Sequence, residues 1–196
     1  MKTEIQTILD NNKNTPEFLC PHNTELYNNT LLNTRKSVIF SQILTCLNKQ
    51  TNILEIGALT GMITRVLAFY AKTSLIHVID PWRGDQEGGE GEYQRFLQYT
   101  NSYNNISVNR ISSTDTQANA IYDLDFSFVY VDGNHSYDYA KSDIENAIKC
   151  IKSSGLVVVD DCDMPEVNRA ADVLRKHENA TELQSSFMEK YFWIEK

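Results

Sequence analysis

Three short stretches of this chain carry residue types that could do chemistry: NILEIGALTG at 52–61, VDGNHSY at 131–137 and GLVVVDDCD at 155–163. Each is an apolar run that gives way to acidic, glycine or histidine residues, the pattern of a buried strand ending at a polar rim. If the three strands lie parallel in one sheet, their ends are neighbours. Glu55, Gly57, Asp132, His135, Asp160 and Asp161 then line one crevice. Carboxylates crowded at such a rim repel one another, and a hard divalent cation such as Mg2+ resolves that repulsion with oxygen ligands. His135 follows Asp132 by three residues, and imidazole exchanges a proton near neutral pH, as a general base must. The Asp-Asp pair also has a plainer reading, in which Asp161 or Asp163 caps a helix starting at Pro165.

The elements that must position these groups alternate along the chain. Strand-like runs at 52–56, 74–79, 105–109, 126–131 and 155–159 are separated by helical patterns at about 60–72, 91–103, 115–122 and 137–152. Such alternation means βαβ units, a mostly parallel sheet and right-handed crossovers that put helices on both faces. An amphipathic helix precedes the first strand at 34–49. Another is expected from Pro165 to His177, and Thr181–Phe187 with Tyr191–Glu195 reads as a hairpin finishing the sheet. Residues 1–20 read as polar and irregular apart from a short apolar face at Ile5, Ile8 and Leu9. DQEGGEGE at 85–92 reads as a glycine-rich, acidic, mobile loop.

After the first strand, Gly57 and Gly61 let the backbone turn tightly and approach a ligand. The turn matches neither the P-loop nor the G-x-G-x-x-G pattern. Glu55 is a carboxylate in an apolar strand and needs a partner there. Asp80 ends the next strand, where a carboxylate can accept two ribose hydroxyls. The combination E-x-G-x-x-x-G followed by a strand ending in Asp resembles the class I S-adenosylmethionine-dependent methyltransferases, from about residue 50 to the C-terminus. The resemblance implies an α/β, Rossmann-like sheet of seven strands, mostly parallel, closed by an antiparallel hairpin. It implies that Gly57 and Gly61 pass under the methionine part of S-adenosylmethionine and that Asp80 holds its ribose. Glu55 and Asp132 fall in the same cofactor crevice, and Trp82 and Ser113 fall near the adenine.

The order D-G-x-H-x-Y, a helix, then D-D is similar to the metal-dependent small-molecule O-methyltransferases, especially those acting on sugar hydroxyls. That similarity implies Asp132, Asp160 and Asp161 as ligands of Mg2+ or another divalent cation, and His135 as the base. Ser154 stands where these relatives often have a first glycine, which affects only a turn. Cys162 stands where catechol-type relatives carry an asparagine ligand, so the sugar-type arrangement fits better. Mg-assisted methylation of a sugar or glycoside hydroxyl is therefore the activity the resemblance implies.

Bulk properties limit the alternatives. At 196 residues the chain suits one domain, read as an N-terminal helical segment at 1–49 that caps the acceptor and a catalytic domain at 50–196. A net charge of −8 argues against nucleic acid, and Arg35-Lys36 and Arg175-Lys176 read as solvated helix surface. No apolar run approaches the roughly 20 residues that span a bilayer, and the N-terminus lacks the apolar core of a secretory signal. The four cysteines, Cys20, Cys46, Cys150 and Cys162, are scattered, in keeping with a reduced, cytoplasmic protein. The partner expected is a small molecule with hydroxyls, with no membrane and no nucleic acid, and a homo-oligomer is left open. Two rivals stand beside this reading. A metal-dependent oxygenase or hydrolase would leave Asp80 and the glycine turn without a role and lacks a second histidine. A non-catalytic binding module would keep the fold without the chemistry.

Overall fold

The computed structural model describes residues 1–17, 34–47, 51–84, 88–185 and 187–196. Its centre is a seven-stranded sheet in the order β3-β2-β1-β4-β5-β7-β6. The strands are β1 (Asn52–Ile56), β2 (Leu75–Ile79), β3 (Ile106–Asn109), β4 (Phe126–Val131), β5 (Gly155–Val159), β6 (Ala180–Leu183) and β7 (Lys190–Ile194). β1 to β5 pair in parallel, and the β6–β7 hairpin closes the sheet antiparallel, with β7 beside β5. The sequence reading of the sheet and its closing hairpin is the architecture observed.

Side-chain alternation assigns the faces. Ile53, Phe128, Tyr130, Leu156 and Val158 point into one core, and Leu54, Ile56, Val129, Val131, Val157 and Val159 into the other. The first core is covered by α1 (Lys2–Asn12), α2 (Arg35–Leu47), α3 (Met62–Tyr70) and α4 (Glu90–Thr100). The second is covered by α5 (Asn119–Tyr122), α6 (Tyr137–Cys150), α7 (Pro165–Ala170) and α8 (Asp172–Arg175). Helices on both faces are what right-handed crossovers produce.

Three local expectations change. The stretch read as irregular contains α1, whose Ile5, Ile8, Leu9 and Asn12 are buried. Their i, i+3, i+4, i+7 spacing makes a narrow apolar stripe on an otherwise polar helix, and packing rather than propensity holds it. The helix expected from 165 to 177 is two short helices meeting at Ala171. The second half of the 85–92 segment is not loop: Gly89 is the N-cap of α4, and its N–H donates to Glu92 Oε2 at 3.0 Å. Residues 85–87 and Cys20 lie outside the described residues. No described helix is long and apolar enough to cross a membrane.

The sheet register sets up the site. Ile56, Ile79, Val131 and Val159 form one row across β1, β2, β4 and β5. Hydrogen bonds carry the row one residue further: Gly57 N–H to Ile79 O at 2.9 Å, Asp132 N–H to Ile56 O at 2.8 Å and Asp160 N–H to Val131 O at 2.9 Å. Strand order reverses between β1 and β4, the place where open parallel sheets bind ligands.

Candidate active site

A crevice of about 690 Å3 opens along that row, a volume suited to a nucleoside-sized ligand and a small acceptor. Its floor is the β1–α3 turn. Gly57 has φ +84°, and a Cβ there would sit 2.0 Å from Asp132 O, so no other residue fits. Gly61, at φ +79°, starts α3, and a Cβ there would meet Phe96 at 2.8 Å. Leu59 and Asp161, which line the crevice, also have positive φ, as does the buried Trp82. Strained non-glycine backbone of this kind clusters at functional sites.

Asp80 builds the turn. Its Oδ2 accepts from Ala58 N–H and Leu59 N–H, each at 2.9 Å, and its Oδ1 accepts from Trp82 N–H at 2.8 Å. It still lines the crevice, with acceptor capacity left on Oδ1. Trp82 does not reach the crevice surface. It is 1% exposed, its indole N–H donates to Leu59 O at 2.7 Å, and its ring packs on Tyr93 and Phe96. Ser113 does line the crevice, beside Ser112.

Glu55 finds the partner its burial demands in Thr64 on α3, whose hydroxyl donates to Oε2 at 2.6 Å. Burial, against that hydrogen bond, pushes its carboxyl up to about 8, so Glu55 is largely protonated at neutral pH. Asp143 on α6 carries no strand-end signal in the sequence, because it lies within a helix. It is 1% exposed, burial pushes it up to about 7, and a Cβ on Gly133 would lie 2.8 Å from its Oδ2.

At the opposite end, His135 Nε2 lies 3.0 Å from Asp161 Oδ2 and 3.8 Å from Asp132 Oδ1. One donor atom from each of these three residues falls within 4.8 Å of the others. Desolvation in the crevice pushes Asp132 up to about 6, and burial followed by the nearby Asp160 charge raises Asp161. Asp161 is not a helix cap: the N-cap of α7 is Met164, with no side-chain cap bond.

Asp160 stands apart from that group. Its Oδ2 takes the ammonium of Lys36 at 2.5 Å and the Tyr130 hydroxyl, and its Oδ1 has no hydrogen-bond partner among the described residues. Lys36 also meets Glu189 Oε1 and Tyr130 Oη, each at 3.2 Å, and Arg35 lies 3.7 Å from Glu189 Oε2. Arg35-Lys36 is therefore not solvated helix surface, because an acidic rim draws in cations from whatever element can supply them. Burial works against the Lys36 charge, but Asp160 and Glu189 outweigh it and raise its pKa. Lys36, Tyr139, Arg83 and Asn134 are further crevice-lining residues.

The methyltransferase-domain family matches residues 54–162, more than half of the chain and every strand end that forms the crevice. The chain belongs to that family. Among curated proteins no sequence matches it. Solved structures share the fold at low identity. A putative caffeoyl-CoA O-methyltransferase from Staphylococcus aureus superposes with a TM-score of 0.65 at 17% identity, covering 97% of this chain and 92% of that one. An O-methyltransferase from Bacillus cereus, in complex with SAH, gives 0.59 at 14% identity, covering 100% and 92%. The fibrillarin pre-rRNA processing protein of Methanococcus jannaschii gives 0.54 at 16% identity, covering 74% and 67%. The protein is thus a class I S-adenosylmethionine-dependent methyltransferase, with the seven-stranded sheet and closing hairpin of that class. A fold shared with an RNA-processing protein does not choose this methyltransferase's acceptor.

Proposed function

We propose that this methyltransferase moves the methyl group of S-adenosylmethionine to a hydroxyl of a sugar or glycoside, with His135 receiving the hydroxyl proton. The observation that carries this reading is the His135–Asp161 pair, 3.0 Å apart, at the rim of the crevice whose floor is the Gly57 turn. The same reading gives the crevice residues their cofactor roles. The Gly57–Gly61 turn would run under the methionine moiety, Asp80 would offer Oδ1 to the ribose, and Ser113 would meet the adenine. The sugar reading rests on the D-G-x-H-x-Y and D-D motifs together with a polar rim of Asn134, Ser136 and Arg83. The N-terminal segment 1–49 is proposed as part of the acceptor side, since α2 brings Lys36 to that end.

Methyl transfer from a sulfonium is an in-line displacement in which alignment and a nucleophilic oxygen supply most of the catalysis. As the O–CH3 bond forms, the S–CH3 bond breaks and the sulfur leaves as a neutral thioether. The hydroxyl proton passes to His135, and the carboxylates of Asp161 and Asp132 stabilise the imidazolium.

The three-aspartate Mg2+ site does not fit these residues as they stand, because Asp160 Oδ2 already carries an ammonium and a phenol and its Oδ1 is buried away from the crevice lining. A second reading is favoured by the 4.8 Å grouping: Asp132, His135 and Asp161 as a mixed nitrogen and oxygen site for a divalent cation. Base and ligand are rival uses of one imidazole. The test is methyl-tritiated S-adenosylmethionine with a panel of deoxysugar glycosides, with and without EDTA. Label in an O-methyl ether supports the reading, and label only on nitrogen or carbon overturns it.

A further inference from the structure

The Lys36 ammonium occupies an unusual place for a lysine. It comes from the first turn of α2, far along the sequence from its partners, and reaches the acidic end of the crevice. Its three N–H groups have three acceptors: Asp160 Oδ2 at 2.5 Å, Glu189 Oε1 at 3.2 Å and Tyr130 Oη at 3.2 Å. A lysine has three donors, so its hydrogen-bonding capacity is used in full. Tyr130 extends the contact, since its hydroxyl also reaches Asp132 Oδ2 at 3.3 Å. The arrangement is held from both sides. Phe40, one turn after Lys36 on α2, packs edge-on against the Tyr130 ring at 5.5 Å, and Ile39, Phe40 and Ile43 are fully buried. Glu189 is 1% exposed and sits immediately before β7, the strand paired with β5, which carries Asp160 at its end.

A cation in that position does part of what a bound metal does elsewhere. It neutralises the carboxylate crowding at the strand ends and orients Asp160. It also repels a second cation. We propose that Lys36 is the resident cation of the methyl-accepting pocket, standing in place of a divalent metal ion by withdrawing Asp160 and Glu189 from metal binding. The inference rests on reading this crevice as the methyl-accepting site with His135 as proton acceptor rather than cation ligand, but it does not depend on which acceptor is methylated. Asp132, Asp161 and His135 are then left to act on the acceptor proton, and Lys36 acts through Asp160 and Tyr130 as a positioning residue.

The test is Mn2+ binding, followed by electron paramagnetic resonance at neutral pH on the whole chain, which needs neither acceptor nor turnover. Wild type is expected to show no saturable Mn2+ binding tighter than about 1 mM, the weak end of the range for protein carboxylate sites. Lys36→Met frees Asp160 and Glu189 and is expected to bind Mn2+ at least about ten-fold tighter, a change of the size that altered metal surroundings produce. Lys36→Arg keeps the charge and is expected to behave as wild type. Saturable binding tighter than about 1 mM by wild type overturns the proposal, as does a folded Lys36→Met variant that gains no affinity. Should Lys36→Met not fold, Lys36→Gln and the wild-type titration carry the same test. A failure of O-methylation with wild type still blind to Mn2+ would count against the proposed function alone.

Discussion

Both oxygens of Asp80 accept backbone N–H groups, so this carboxylate shapes the cofactor turn before it can touch a cofactor. Asp80→Ala should therefore cost stability as well as affinity for S-adenosylmethionine, by about 2–4 kcal/mol in urea unfolding, because three N–H groups lose a charged acceptor. A variant as stable as wild type would contradict that role. His135→Ala should lower turnover by about 10²–10⁴-fold while leaving cofactor affinity nearly unchanged, since the proposed role of the histidine is on the acceptor. Loss of cofactor binding in that variant would move His135 out of the base role. Glu55 gives a pH signature. Its carboxyl has an ordinary value of 4.5 and is pushed up to about 8 by burial, so between those values unfolding releases a proton. Stability then falls as pH rises through that window, by at most roughly 1.4 kcal/mol per unit. Glu55→Gln should remove that slope, so the variant gains on wild type between pH 5 and pH 8. An unchanged difference at the two pH values would show that Glu55 ionises freely.

The strand ends were legible in the sequence because type and position coincide there: a buried apolar run that stops at Gly57, Asp132 or Asp161 marks both an element and a site. The helices were less legible where packing decides. α1 shows only four buried positions on a polar background, and α7 and α8 break at Ala171 with no glycine or proline to announce it. Lys36 reads as surface because its meaning lies in Asp160, 124 positions away along the chain, and in Glu189, within the closing hairpin. Trp82 was misplaced for a related reason. Its neighbours Tyr93 and Phe96 come from α4, and they hold the indole beneath the turn rather than in the crevice. The β1–α3 turn is the element on which the whole site depends. Gly57→Ala should strain a backbone at φ +84° and drive a methyl group into Asp132 O. S-adenosylmethionine affinity should fall by at least about 2 kcal/mol, the scale of strain at such positions. Calorimetry showing full affinity would mean that the turn is not the cofactor floor.

Across the whole molecule, the sheet brings four strand ends into one row, and the two helical layers supply what the row lacks. α3 gives Glu55 its hydroxyl partner, α2 gives Asp160 its ammonium, and the loop leading into α6 gives His135 to Asp161. The cofactor half of the crevice is proposed from family and fold together, and the acceptor half from the residues at the His135 end. The central claim is that one crevice holds the methyl donor at the Gly57 turn and aims it at His135. A crystal structure of the complex with S-adenosylhomocysteine tests this most directly. The account predicts the amino-acid part over Gly57–Gly61, the ribose beside Asp80, the adenine at Ser113, and the sulfur turned toward His135. A product bound elsewhere, or bound with its sulfur facing away from the His135–Asp161 pair, would contradict it.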